Sequence, residues 1–231
     1  MRLGFVLRVA PTHDFVQANR HFMFHLPQSS WPIRALLATG LLALLVTGFA
    51  AIQIRASATP PFHGTAYPDA PFAPDFELID HRGESRSLSD FRGEIVLLFF
   101  GFTRCPDVCP LALSRLARVL AEAEIGADRA SVLLVTVDPE YDTAERLAEF
   151  VTPFGPAFTG LRGDSTTTRA IMADYGVFAQ PAHNHEGAPT LAHTSLVFGI
   201  DRSGRLTVLI HPEEPAEIVA SDIRALLQIR P

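Results

Sequence analysis

IVLLFFGFTRCPDVCP, Ile95–Pro110, is the stretch on which the fold turns. Ile95 to Phe100 is an unbroken apolar run of strand length, as expected of a strand buried on both faces. Gly101-Phe102-Thr103-Arg104 then leads into Cys105-Pro106-Asp107-Val108-Cys109-Pro110. Leu113, Leu116 and Leu120 recur at helical spacing over Leu111 to Ile125. The stretch therefore reads as a buried strand, a cysteine-bearing turn and a helix.

Working outward, Asp75–Ile79 alternates as a strand. A turn at His81-Arg82-Gly83-Glu84 makes a hairpin with Ser85–Leu88. Val132–Val137 is a second buried strand, and Thr159–Arg162 is a short one. Helices are expected at Thr143–Phe150, with Asp142 as N-cap, and at Ser165–Tyr175. Gln180–Ala192, rich in Pro, His and Gly, reads as a loop. Ser195–Ile200 and Leu206–Ile210 form a hairpin through Asp201-Arg202-Ser203-Gly204. Pro215–Ile229 closes as a helix. Strands alternating with helices call for a parallel or mixed sheet covered on both faces. The expected class is α/β, a thioredoxin-like fold with an N-terminal β-hairpin extension, because a buried strand runs into a cysteine motif that opens a helix.

The 231 residues are 48% hydrophobic and only 19% charged, with a mean hydropathy of +0.20. Much of that excess sits in Ala35–Ile54, which has no charged residue. At about 1.5 Å per residue it is long enough for the roughly 30 Å of a bilayer core. Arg2, Arg8, Arg20 and Arg34 precede it against Asp14 alone, and after Arg55 nothing basic follows until Arg82. The positive-inside rule then places the N-terminus in the cytoplasm. Ala56-Ser57-Ala58 looks like a signal-peptidase site, but the apolar run exceeds the about 7–15 residues of a signal core. The expectation is a single transmembrane helix that stays uncleaved. The order is a cytoplasmic segment at 1–34 (translation starting at Met1 or Met23), an anchor at 35–54, a Pro-rich tether at 55–74, and an exported domain at 75–231. The setting is a bacterial-type inner membrane, with that domain in the periplasm. A net charge of −6 argues against a nucleic-acid partner.

Cys105 and Cys109 are the only cysteines, which excludes a disulfide-rich scaffold and any four-cysteine metal site. Their C-x-x-x-C spacing at a helix mouth lets two sulfurs bridge or converge on one ion. Helix amides and Arg104 are expected to lower the Cys105 pKa, with Asp107 opposing. A structural disulfide closing so short a loop would be a weak staple. Two soft thiolates plus one imidazole suit copper. Thioredoxin-like oxidoreductases place a proline before the strand that faces their cysteines. Here His193 stands at that point.

Cys105-x-x-x-Cys109-Pro110 after Phe102-Thr103, Val137-Asp138-Pro139-Glu140 with Asp142-Thr143, and His193 before a strand together resemble the SCO/SenC family of membrane-anchored copper chaperones. The resemblance runs from about Ala73 to Leu227. It implies a thioredoxin fold holding one copper, Cu(I) or Cu(II), through Cys105, Cys109 and His193, with Asp138 nearby as an outer group. It also implies a role in assembling the dinuclear copper centre of cytochrome c oxidase subunit II, by copper delivery, by reduction of its cysteines, or both. Other copper chaperones or thiol reductants would be further partners. Tyr141 departs from the family, which more often has a basic residue there.

Two other classes compete. One is a periplasmic thiol–disulfide oxidoreductase using the Cys105/Cys109 couple, with Cys105 attacking. The other is a peroxiredoxin-type peroxidase, for which only Thr103 of the required Pro and Thr is present. His183 and His185 are candidates for an extra ligand or for metal transfer, against the reading of a solvated loop. His211 is expected to be structural and His81 to be exposed filler. Phe102 and Phe178 are candidate walls for the copper.

Overall fold

The computed structural model describes residues 31–56, 62–67, 69–183 and 189–229, with side chains at 36–49, 62–67, 69–182 and 191–229. Helix α1 is Trp31–Ala56. Strand β1 is Thr65–Ala66, β2 is Glu77–Asp80 and β3 is Ser85–Ser87, followed by β4 at Ile95–Gly101 and α2 at Val108–Glu122. Next come β5 at Ala130–Thr136, α3 at Ala144–Val151, β6 at Phe158–Arg162 and α4 at Ser165–Asp174. The chain continues through β7 at Ala179–His183, β8 at Pro189–His193, β9 at Val197–Ile200, β10 at Leu206–Ile210 and α5 at Ala216–Gln228.

The chain divides into two units, Met1–Ala58 and Thr59–Pro231. In the first, α1 covers the expected anchor, and the described leucines Leu36, Leu37, Leu41, Leu42, Leu44 and Leu45 are exposed. Among the described residues, no helix is long and apolar enough to cross a membrane. Most of the expected cytoplasmic segment, Met23 included, lies outside the described residues.

The second unit is built on one mixed sheet, ordered β1-β10-β9-β4-β5-β6-β2-β3. Strands β4, β5 and β6 run parallel, and the flanking pairs are antiparallel. Every residue of β4 is buried, because alternate side chains feed two cores. Ile95, Leu97 and Phe99 pack with Leu113 and Leu116 of α2 and Ile223 of α5. Val96, Leu98 and Phe100 face the other way, with Ile171 and Met172 of α4, Tyr175 and Phe198. An uninterrupted apolar strand is what a sheet covered on both faces requires.

The N-terminal hairpin forms as expected from β2 and β3. Two segments differ from the reading above. Part of the expected tether, Thr65–Ala66, pairs with β10 as an edge strand. The expected loop at Gln180–Ala192 is largely a two-stranded ribbon of β7 and β8, separate from the main sheet. His81 is also more than filler, since its Nδ1 accepts the Gly160 N–H at 3.2 Å.

Candidate metal and thiol centre

Strand β4 ends at Gly101, where a Cβ would stand 3.0 Å from the Cys109 sulfur. Glycine here lets the strand run beneath the cysteine. Helix α2 starts at Val108, so Cys109 lies in its first turn, earlier than the helical spacing alone indicated. Asp107 precedes that turn without a capping bond from its side chain. The sulfur of Cys105 takes the cap's place and accepts the Cys109 N–H at 3.4 Å. First-turn amides have no intrahelical partner, so an anionic acceptor is favoured there.

This geometry splits the two thiols. Cys109 is buried and Cys105 partly exposed, and both are free. A hydrogen bond from the Cys109 thiol holds the Cys105 pKa down at about 5, with help from the Cys109 and Asp107 amides and from His193. The same bond and its burial push Cys109 upward. The expected direction for Cys105 holds, but its cause differs. Arg104 is engaged elsewhere, and Asp107 acts through its amide. At neutral pH Cys105 is therefore the thiolate and Cys109 the proton donor. A depressed acid stabilises the fold above its ordinary range, and that contribution is lost as pH falls through about 5. In the reduced protein one thiolate is expected to titrate at about pH 5, read by ultraviolet thiolate absorbance and by alkylation at Cys105. A first thiol midpoint near 9 would contradict the capped-thiolate geometry.

His193 ends β8, paired with Ala179 of β7. The next turn is pinned where the Thr194 N–H donates to the Phe178 carbonyl at 3.1 Å and the Phe178 N–H donates to Thr194 Oγ1 at 3.2 Å. The imidazole meets Phe102 edge-on at 5.4 Å and Phe99 at 6.4 Å. Its Nε2 lies 3.6 Å from the Cys109 sulfur. Burial lowers the His193 pKa, against the pull of Cys105. The ring is thus held neutral, as a nitrogen donor must be. Among the described residues, no group of three or more His, Cys, Asp and Glu side chains is arranged to hold a metal ion as it stands. Cys109 and His193 are in contact, while the Cys105 sulfur is turned onto the helix amide.

Asp138 does not touch these three in any hydrogen bond or ion pair. Its carboxylate pairs with Arg104 beside the motif. Arg104 and Arg146 sandwich the Tyr141 ring, at 4.1 and 4.0 Å from its centroid, so a cation–π stack occupies the position where the family more often has a base. Phe102 is buried against His193, as a wall would be, but Phe178 is 78% exposed. His185 lies outside the described residues, as does the side chain of His183.

The residue that sequence reasoning placed wrongly is Asp142. The N-cap of α3 is Thr143, whose hydroxyl accepts the Arg146 N–H. Asp142 is fully buried. Its carboxylate accepts the Thr103 N–H at 3.1 Å, the Thr103 hydroxyl at 2.5 Å and the Thr136 hydroxyl at 2.5 Å. The Thr136 oxygen in turn accepts the Asp138 N–H at 3.0 Å. One carboxylate thus ties the cysteine loop to the end of β5. The available signal was the pair of threonines, Thr136 near the end of one predicted strand and Thr103 three residues past the end of another.

Comparison with known proteins places the fold and the family. The SCO1/SenC family profile matches residues 64–228. The mitochondrial SCO2 homolog of Bos taurus is 36% identical over 153 residues, 65% of this chain and 58% of the relative. The match thus spans little more than half of that relative's length. The ScoI of Bradyrhizobium japonicum, solved with copper bound, is 31% identical with a TM-score of 0.59, covering 66% of this chain and 98% of that one. The apo Sco1 of Thermus thermophilus, solved in solution, is 36% identical with a TM-score of 0.63, covering 74% and 99%. The mixed α/β fold is the thioredoxin-like fold of these proteins.

Proposed function

The chain belongs to the SCO1/SenC family, and from that premise we propose that it is a membrane-anchored copper chaperone holding its cargo between Cys105, Cys109 and His193. The contact of the Cys109 sulfur with His193 Nε2 at 3.6 Å, beside the Cys105 thiolate, is the observation that carries this reading. Two sulfurs and one neutral imidazole form a soft, low-coordination donor set suited to Cu(I) and tolerant of Cu(II). Cys105 offers a ready thiolate. Cys109 must give up its proton on binding, so capture releases a proton and weakens as pH falls. Asp142 fixes the cysteine loop, and Asp138 holds Arg104 at its rim.

Val108, Leu111 and Phe178 are exposed apolar side chains on or beside the elements that carry Cys109 and His193. Such a rim suits docking of a copper-receiving protein. The resemblance supplies its identity as cytochrome c oxidase subunit II, with other copper chaperones or thiol reductants as further partners. The exposed leucines of α1 find their cover in a bilayer, which fits the anchor read from Ala35–Ile54. A reporter fused after Pro231 is expected to be active only outside the cytoplasm, and cytoplasmic activity would reverse the assigned orientation.

A second reading also draws on this centre. An accessible low-pKa thiolate beside a buried thiol is the layout of an attacking and a resolving cysteine. Cys105 would attack a partner disulfide, and Cys109 would release the mixed disulfide, leaving Cys105–Cys109 oxidised and the partner as two thiols. Titrating the reduced full-length protein with Cu(I) separates the two. The chaperone binds one equivalent and needs His193, whereas the reductase needs only the cysteines.

A further inference from the structure

Residues 62–67 pass alongside the end of β10, and β1 registers Thr65 with Leu209 and Ala66 with Val208. His63 stands two residues before Thr65 and His211 two residues after Leu209, so both leave this pairing at the same end. His63 and His211 both line one cavity of about 170 Å³, with Asp222, Glu214 and Ile218.

Each ring is oriented by a carboxylate. His63 Nδ1 lies 3.4 Å from Asp222 Oδ1, and His211 Nδ1 lies 3.3 Å from Glu213 Oε1. An ionised carboxylate only accepts, so Nδ1 is the donor in each contact and Nε2 is the nitrogen left to face a ligand. That is how proteins orient metal-binding histidines. The support beneath is rigid. Asp222, with 1% of its side chain exposed, accepts the His63 N–H at 2.7 Å and the Gly64 N–H at 2.8 Å. Gly64 runs so close to β10 that a Cβ would lie 2.2 Å from the Leu209 carbonyl oxygen. Arg115 of α2 bonds the carbonyls of Pro212 and Glu214, which fixes the turn after His211.

We propose that His63 and His211 form a second cation site that takes a borderline divalent ion, Cu(II) or Zn(II), through two imidazole nitrogens. Water completes the coordination, since Asp222 is committed to backbone amides. Without a thiolate the site has no preference for Cu(I). Its place is informative. Phe99 registers with Val197, and Val197 with Ile210. His211 therefore leaves the sheet at the same end as the cysteine motif, and α2 touches both. The domain would thus carry a nitrogen-only station for the divalent ion at the same end of the sheet as its sulfur centre.

The test uses the full-length Cys105→Ser/Cys109→Ser protein in detergent, titrated with Cu(II) and read by electron paramagnetic resonance. One equivalent with nitrogen hyperfine structure and no thiolate absorption is expected. His63→Gln and His211→Gln should each weaken it by more than about 10-fold, while His183→Gln/His185→Gln leaves it unchanged. Survival of that equivalent in either single variant overturns the site. In the same Cys105→Ser/Cys109→Ser protein, substoichiometric Cu(II) should broaden the imidazole proton resonances of both His63 and His211. Sharp resonances from either would equally overturn it. Neither readout depends on copper held at the cysteines, so the chaperone reading stands or falls separately.

Discussion

His193→Ala is expected to lower copper affinity of the reduced protein by about 100-fold, or about 2.8 kcal/mol. The substitution removes the nitrogen donor that contacts the Cys109 sulfur among the described residues. It also takes away an edge contact to Phe102 and Phe99, and the remaining thiolate pair must then complete its coordination with solvent. In the Cu(II) form the visible sulfur-to-copper absorption should weaken or shift, because the ligand field loses its imidazole. The dithiol chemistry should persist. The Cys105 pKa is held down first by the Cys109 thiol and only last by His193, so its midpoint should rise only slightly. Competition titration with a copper chelator, run beside thiol titration, measures both. Undiminished copper affinity in the variant would sink the three-ligand site and favour the oxidoreductase. Substitution of either cysteine should abolish both activities and so does not separate them.

Why His193 was legible at all bears on how such sites are read. Ile95–Phe100 announces a two-sided strand, and a cysteine motif after it fixes where the helix starts. From there the facing segment is set by the fold, and a histidine at its end is conspicuous. Its scaffold was not legible. Pro181 and Pro189 belong to the β7–β8 ribbon, which stands apart from the main sheet. Proline is tolerated in such edge strands and reads as loop in a sequence. Strand β1 was hidden by its two-residue length and the surrounding prolines. It exists because Asp222, far along the chain, holds the amides of His63 and Gly64. Periodicity reports which face a residue presents to a core. It does not report a buried carboxylate gathering donors from distant segments.

Asp142 shows the energetic weight of such a group. In Asp142→Ala, the Thr136 hydroxyl loses its acceptor in a fully buried site, and the Thr103 N–H and hydroxyl lose theirs in a partly buried one. At about 1–3 kcal/mol for each buried donor left unsatisfied, and with the hydroxyls free to rotate toward other acceptors, the net loss should be about 3–5 kcal/mol. For a domain of this size that lowers the melting temperature by about 10 °C. Asp142→Asn keeps the shape and one accepting oxygen but turns an NH2 toward the remaining donors, so a smaller loss of about 1–2 kcal/mol is expected. The Thr103 loop leads directly to Cys105, so the alanine variant should also loosen the turn that caps α2. The Cys105 midpoint should then climb from about 5 toward the ordinary thiol range. Thermal unfolding of the reduced, metal-free protein measures the first effect, and thiol titration the second. If Asp142→Ala melts with the wild type and leaves the Cys105 midpoint in place, the carboxylate is not what holds the cysteine loop. The preorganisation of the site would then have to come from α2 alone.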